Sequence, residues 1–136
     1  MILDTGVIVG ALDRGDQDHH ACAQLLADTG ERRLIPAPVL VEADHFLTRY
    51  LGPASFGALL GDIRRGAFDV EDLNSADYSR VADLLDTYAD LKVGFVDCAV
   101  LAIVERLGEG KLATLDHRHF ATMRPAHRDS LELVPS

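Results

Sequence analysis

Short apolar runs alternate with longer segments of helical periodicity from one end of the sequence to the other. This alternation is typical of strands that are each followed by helices, and it predicts a mainly parallel sheet covered by helices. The predicted strands are residues 1–3, 32–38, 67–73, 111–116 and 130–135, the last of them at an edge. The predicted helices are residues 7–12, 16–30, 39–51, 54–66, 74–91 and 96–107. The expected fold class is therefore α/β, with four to five strands in the sheet.

Turn and cap residues support several of these boundaries. Gly30 is placed to stop the second helix, and Pro36 and Pro38 are placed to end the second strand. The third helix is expected to break at Gly52, because proline follows it in the sequence. Asn74 is a plausible cap for the helix that begins there.

The length and charge of the chain limit what kind of protein it can be. Its 136 residues fit a single domain, residues 1–136, that can bury a core without disulfides. The net charge is −9, from 13 basic against 22 acidic side chains, which argues against a broad basic face that grips nucleic acid. This balance permits an enzyme whose local acids are neutralised by a metal ion.

The cysteines and the apolar runs indicate the compartment. Cys22 and Cys98 lie in apolar helical stretches and are predicted to be buried, free thiols in a reducing environment. The N-terminus lacks the basic region of a signal peptide, and no apolar run reaches the ~20 residues of a membrane span. A cytoplasmic protein without a membrane segment is therefore expected.

Two carboxylates stand out because they end predicted strands. Asp4 directly follows the first predicted strand, and Asp116 ends the fourth. Ligands of open parallel sheets collect at the carboxyl ends of the strands, so both side chains are expected at one edge. Asp4 alone would also fit an ordinary helix cap. Glu42, early in the third helix, lies at the border of its apolar face and would also fit a solvated surface residue.

Asp97 is the most informative carboxylate. It is the one charged residue in the first turn of the stretch Val96–Val104, whose apolar character on every side predicts burial all round. A favourable helix N-terminus is worth about 0.3–1 kcal/mol, whereas burying an unpaired carboxylate costs several kcal/mol. The nearest upstream base, Lys92, is not in the adjoining turn. A metal ion is therefore the expected partner of Asp97.

The chemistry of these side chains indicates which metal and which reaction. Oxygen donors without an accompanying His or Cys cluster favour Mg²⁺ or Mn²⁺ over Zn²⁺. Grouped carboxylates repel one another and stay ionised together when a cation lies between them. Such sites usually hydrolyse phosphodiesters, because a bound metal lowers the pKa of an attacking water and stabilises the leaving oxygen.

Four motifs, in this order and spacing, resemble those of the PIN domains. They are ILDTG at the start, VLVEADHFL after the second strand, VGFVDCAVLA on the late helix and LATLDHRHF near the end. Each motif alone is weak, but the ordered set covers nearly the whole chain. More narrowly, the set is similar to the VapC toxins of bacterial toxin–antitoxin pairs.

The resemblance implies a fold, an activity and partners. The fold would be an α/β/α sandwich with three layers. The activity would be that of an endoribonuclease dependent on Mg²⁺ or Mn²⁺, in which Asp4, Glu42, Asp97 and Asp116 hold the metal and are catalytic. The RNA substrate would be a tRNA or an rRNA. A homodimer and inhibition by a cognate VapB-type antitoxin are also implied.

Further residues near the four acids are expected to assist them. Thr5 keeps a hydroxyl beside Asp4, and Thr114 precedes Asp116 by two residues, so each is a candidate to support a ligand by hydrogen bonding. Gly6 departs from the family, which often has serine or another small polar residue there.

The motif DHRHF continues directly past Asp116. His117, Arg118 and His119 are interpreted as an exposed turn, in which Arg118 is a candidate contact for a substrate phosphate.

Other protein classes also place acids at strand ends. A haloacid-dehalogenase-like phosphatase needs a second Asp two positions after the first, where this chain has Gly6. A receiver domain places an acidic pair near the N-terminus and a lysine late, and neither feature is present. Two alternatives within the family remain open: an inactive PIN-like scaffold that binds RNA or protein, and a housekeeping PIN nuclease without an antitoxin.

Overall fold

The computed structural model describes residues 1–28 and 30–136. This part of the chain forms one five-stranded sheet flanked by seven α-helices. The strands are β1 (Ile2–Leu3), β2 (Leu34–Pro36), β3 (Asp69–Glu71), β4 (Lys111–Ala113) and β5 (Glu132–Val134). The helices are α1 (Thr5–Leu12), α2 (His19–Ala27), α3 (Ala37–Leu51), α4 (Ala54–Arg64), α5 (Ser75–Thr87), α6 (Phe95–Arg106) and α7 (His117–Thr122). The predicted α/β class is confirmed.

All five strands are parallel, in the order β3-β2-β1-β4-β5. β1 lies in the centre, where Ile2 is in register with Leu34 of β2 on one side and Leu112 of β4 on the other. From β1 the chain adds β2 and then β3 on one side, and afterwards β4 and β5 on the other side. The carboxyl edge between these two strands is therefore a topological switch point, where α/β sheets bind ligands.

The core is formed by the central strands and α6. Ile2 and Leu112 have no exposed surface, and neither has most of α6 between Cys98 and Val104. The prediction that this helix is buried all round is thus confirmed for those residues. Cys22 and Cys98 are buried free thiols, as predicted, and burial raises the pKa of each to about 11. Among the described residues, no helix has the length and apolar character that crossing a membrane requires.

Several predicted helix boundaries were wrong near the N-terminus. α1 begins at Thr5 rather than residue 7, because the Asp4 side chain accepts a hydrogen bond from the first backbone N–H. The second helix begins three residues late, since the Asp16 side chain binds a backbone N–H two residues on and forms a local turn. This helix ends at Ala27, so Gly30 does not stop it. The predicted span also included Thr29, which lies outside the described residues.

Other boundaries differ at prolines and caps. Pro38 lies in the first turn of α3 instead of ending the strand, a position where proline is tolerated. Asn74 caps α5 as predicted, and it exchanges two hydrogen bonds with Asp77 in a capping box. The segment after Asp116 was predicted as an exposed turn, and this was wrong: it forms α7, which Asp116 caps by accepting a hydrogen bond from the His119 N–H.

Charged contacts hold α5 against α6. The Nε atom of Arg106, near the end of α6, donates to the nearly buried carboxylate of Asp77 at 3.0 Å. Arg80 of α5 donates twice to the carboxylate of Glu105, at 2.8 and 3.0 Å. These contacts fix the C-terminal half of α6. They thereby also fix the position of the N-terminus of this helix, where Asp97 lies near the carboxyl edge of the sheet.

Candidate metal centre

Asp4 lies at the carboxyl end of the central strand and is only 6% exposed. One of its oxygens, Oδ1, accepts the Thr5 N–H at 2.8 Å. The other, Oδ2, accepts the Thr114 hydroxyl at 2.8 Å. The side chain therefore caps α1 with one oxygen while the other faces the end of the neighbouring strand β4. A helix-capping role and a place in a buried polar site are compatible here.

Burial raises the pKa of Asp4 to about 6. The hydrogen bonds from Thr114 and Thr5 oppose this effect, whereas the nearby carboxylates of Asp97 and Glu42 add to it. The carboxylates from three separate helices or strands are thus close enough to repel one another. Such a site stores electrostatic repulsion that a cation would relieve.

Glu42 projects from α3 towards the same edge and is half-buried. Its Oε1 accepts the hydroxyl proton of Thr5 at 2.7 Å. Thr5 therefore donates to Asp4 through its backbone and to Glu42 through its side chain. This contact ties Glu42 to the site and distinguishes it from an ordinary solvated side chain.

Asp97 lies in the first turn of α6 and is half-buried. Burial raises its pKa, and the carboxylates of Asp116 and Glu42 raise it further, while His119 lowers it. Among the described ion pairs Lys92 makes none with Asp97, and the basic group beside it is His119, whose Nδ1 is 3.3 Å from Oδ2 of Asp97. The metal partner of Asp97 stays a prediction, and the sequence analysis did not identify His119 as a neighbour of this carboxylate.

Asp116 lies three residues beyond β4 and holds the start of α7. Its N–H donates to the Thr114 hydroxyl oxygen at 3.0 Å, and its Oδ1 accepts the backbone N–H of His119 at 3.1 Å. Its second oxygen, Oδ2, lies 2.7 Å from Nδ1 of His119. Thr114 thus connects Asp116 to Asp4, much as Thr5 connects Asp4 to Glu42.

The tightest group in the site contains a residue that sequence reasoning missed. One ligand atom from each of Asp97, Asp116 and His119 lies within 4.8 Å of the others, and no other such group of three occurs among the described residues. Asp4 and Glu42 interact with this group electrostatically but lie outside it. The sequence contains a signal for this contact: in a helix that Asp116 caps, the third residue after the cap, His119, lies close to it.

The remaining residues singled out in the sequence lie around this centre. Arg118 is exposed on α7, and no ion pair holds it among the described residues. Gly6 packs against Leu115, where an added Cβ would lie 3.4 Å from that side chain, an ordinary contact. The glycine is therefore compatible with the close approach of α1 to the segment between Thr114 and Asp116, without being required for it.

The side chains present fit a divalent cation. Carboxylates from four different parts of the chain lie near this edge, and burial, with added repulsion from neighbouring carboxylates, raises the pKa of Asp4 and Asp97. The Nδ1 atom of His119 is buried without a well-aligned hydrogen bond, although two carboxylates approach it. Closely spaced carboxylates and a buried ring nitrogen without a well-aligned hydrogen bond form a donor set that a divalent cation would satisfy.

An apolar groove of about 650 Å³ adjoins the acids. Glu42 forms part of its wall, and the exposed side chains of Val41, Tyr78 and Phe95 line it. Val41 is the most exposed of these three side chains, at 75%. The acids and an apolar binding surface are therefore contiguous.

Comparison with known proteins finds relatives that are similar in sequence and in fold. Ribonuclease VapC26 of Mycobacterium tuberculosis is 24% identical over 135 residues, covering 99% of this chain and 100% of that protein. The crystal structure of VapC20 from the same organism, described as a toxin that cleaves the sarcin–ricin loop, has a TM-score of 0.74 at 21% identity. That match covers 82% of this chain and 85% of the other.

A second structure agrees over a longer stretch. DNA-bound VapBC from Salmonella typhimurium has a TM-score of 0.70 at 16% identity and covers 97% of this chain and 94% of the other. These likenesses confirm the sandwich fold implied by the motifs. The family model of the PIN domain matches residues 1–124, which include all four acids. The chain therefore belongs to the PIN domain family.

Proposed function

We propose that the chain is the toxin of a VapBC-type toxin–antitoxin pair and acts as a metal-dependent endoribonuclease. This is supported by the placement of Asp4, Glu42, Asp97 and Asp116 near the switch point of a PIN-domain sheet, where burial, with added repulsion from neighbouring carboxylates, raises the pKa of Asp4 and Asp97. These four acids would hold Mg²⁺ or Mn²⁺. The relatives named as ribonucleases and toxins support the same activity.

Threonine hydrogen bonds orient two of the four acids. Thr5 and Thr114 each donate a hydrogen bond to a different oxygen of Asp4, and this orients the carboxylate. Thr5 also orients Glu42. Bound metal would lower the pKa of an attacking water and stabilise the leaving oxygen of the phosphodiester. Arg118, exposed beside Asp116, is suited to contact an RNA phosphate and position the scissile bond.

Cleavage of structured RNA tests the activity directly. The purified protein should cut tRNA or rRNA fragments when Mg²⁺ or Mn²⁺ is supplied, and it should stop when EDTA removes the metal. Gel analysis of end-labelled RNA would show discrete products if the cut is endonucleolytic. Absence of products with either metal would favour the inactive scaffold that binds without cleaving.

The contribution of Arg118 can be read in the same assay. Arg118→Ala should raise KM several-fold and leave kcat nearly unchanged, since the side chain positions substrate without touching the metal. Arg14→Ala removes an equal charge from an exposed position after α1 and serves as the control. Equal effects of both changes would assign the loss to overall charge instead of to a phosphate contact.

The antitoxin would bind across the acids and the apolar groove together. A cleft with these carboxylates, in a protein of net charge −9, attracts a cationic group. We expect a segment of the antitoxin to place an Arg against the acids, where its planar fork can bind a carboxylate through two hydrogen bonds. Apolar side chains of the same segment would contact Val41, Tyr78 and Phe95.

Removing that basic residue should restore RNA cleavage by the complex more readily than it separates the two chains, because the apolar contacts remain. Cleavage and complex mass would be measured on the same samples, with Val41→Asp as the converse change that weakens binding. Full inhibition by an antitoxin lacking the residue would show that it acts by steric cover alone. An antitoxin gene beside this one would separate the toxin from a housekeeping nuclease.

The proposal also includes the assembly and its location. Residues 1–136 would form a single PIN domain that acts in the cytoplasm, where its tRNA or rRNA substrates are found. Tyr50, Leu51 and Leu60 expose 55%, 42% and 45% of their surface around α3 and α4, and such apolar exposure suits a homodimer contact. Sedimentation equilibrium should then give twice the chain mass of 14.8 kDa.

A further inference from the structure

The ring of His119 faces two carboxylates that it does not satisfy. Its Nδ1 atom lies 2.7 Å from Asp116 and 3.3 Å from Asp97, both measured to Oδ2. This nitrogen is buried, yet neither approach has the alignment of a hydrogen bond. Because a ring nitrogen carries at most one proton, it could donate to only one of the two carboxylates in any case. The arrangement places one nitrogen and two carboxylate oxygens close enough to bind the same ion.

The backbone holds this geometry in place. The N–H of His119 donates to Oδ1 of Asp116, so the first turn of α7 brings the ring back over the residue that caps it. Asp97 comes from a different helix, whose other end is fixed by Arg106 and Arg80. Three donor atoms from two independently anchored elements therefore lie within 4.8 Å of one another.

The donor set differs from the four carboxylates of the proposed function. Oxygen donors alone suit Mg²⁺, which is hard and demands near-ideal octahedral geometry. An imidazole nitrogen favours first-row transition metals, and affinity for such mixed sites increases from Mn²⁺ through Fe²⁺ to Co²⁺. One nitrogen among the ligands would therefore shift the preference of the site without excluding Mg²⁺.

We infer that Nδ1 of His119 is a metal ligand, acting with Asp97 and Asp116, and that it makes the site prefer Mn²⁺ to Mg²⁺. The inference rests on the proposed function, because it assumes that the acids hold a divalent cation. The neutral ring binds through Nδ1 and carries its proton on Nε2. His119 thereby sets metal specificity, a property that the four acids alone do not determine.

Electron spin-echo spectroscopy of the Mn²⁺-loaded full chain tests this directly, because a coordinated imidazole gives nitrogen modulation. The wild type should show this modulation and His119→Gln should lose it, since an amide oxygen brings no directly bound nitrogen. Titration calorimetry should show Mn²⁺ affinity falling about tenfold or more in the variant, with a smaller change for Mg²⁺. His45→Gln, at an exposed histidine of α3, should retain both properties.

The outcomes separate this inference from the proposed function. Nitrogen modulation that is absent from the wild type, or equal losses of Mn²⁺ and Mg²⁺ affinity in His119→Gln, would overturn the ligand role while RNA cleavage continued. His119→Asp replaces the nitrogen with oxygen and should shift the preference back towards Mg²⁺, which shows that the effect does not come from misfolding. Absence of both metal binding and cleavage in the wild type would reject the proposed function itself.

Discussion

Replacing Asp97 by Asn should reduce RNA cleavage by at least on the order of 10²–10³-fold, and Asp4→Asn should do the same. The amide keeps the size of the side chain and loses the charge that a divalent cation needs. Asp97 is the more informative position to change, because its carboxylate belongs to the tightest donor group, with Asp116 and His119. Initial cleavage rates at saturating Mn²⁺ would be compared with those of the wild type.

The matched control for this experiment is Asp90→Asn. Asp90 is an exposed acid on the short 3-10 turn Ala89–Leu91, and it should be replaceable without loss of activity. Circular dichroism would show that all variants keep the fold. Cleavage at the wild-type rate by both Asp97→Asn and Asp4→Asn would reject the carboxylate mechanism proposed for this site.

In the absence of metal, Asp4→Asn should make the protein more stable than the wild type at pH 7. The pKa of Asp4 is about 6 in the folded chain, against the ordinary aspartate value of 3.8. Between these values the folded state binds more protons than the unfolded state, so the free energy of unfolding falls as pH rises through this window. The loss is complete above about pH 6 and amounts to up to about 3 kcal/mol.

Urea denaturation in EDTA, from pH 4 to 8, would measure this effect. The stability difference between Asp4→Asn and the wild type should shrink towards zero near pH 4, where the native carboxyl is already protonated. Mn²⁺ should stabilise the wild type more than the variant, which has lost one of the proposed metal ligands. Asp44→Asn, at an exposed acid of α3, should change neither curve. A variant less stable than the wild type at pH 7 would mean that the Asp4 charge is better compensated than its burial indicates.

The elements that the sequence predicted well are those in which local pattern and tertiary burial agree. The apolar stretch after Asp97 is a helix buried all round because α6 packs into the core on every side. The strand ends at Asp4 and near Asp116 coincide with the switch point, since apolar runs and sheet order place them there. In these segments the spacing of the hydrophobic residues was sufficient to predict the structure.

The misses came from side-chain contacts that no periodicity records. α7 is six residues long, too short for an apolar repeat, and it depends on Asp116 as its cap. Because that helix was not expected, His119 was interpreted as part of a turn rather than as a neighbour of Asp97. The hydrogen bonds of Thr5 to Glu42 and of Thr114 to Asp4 join residues 37 and 110 positions apart, and only the folded sheet brings them together.

The sheet order has a consequence for the cell that makes this protein. β1 pairs with β4, so the first strand to be synthesised cannot complete its pairing in the sheet until residues 111–113 have been made. Asp116 is synthesised later still. Because synthesis proceeds at about 5–20 residues per second, Asp4 is made several seconds before Asp116. The proposed nuclease site is therefore incomplete until Asp116 has been added and β4 has paired with β1, so activity can begin only after the first three acids have long been made.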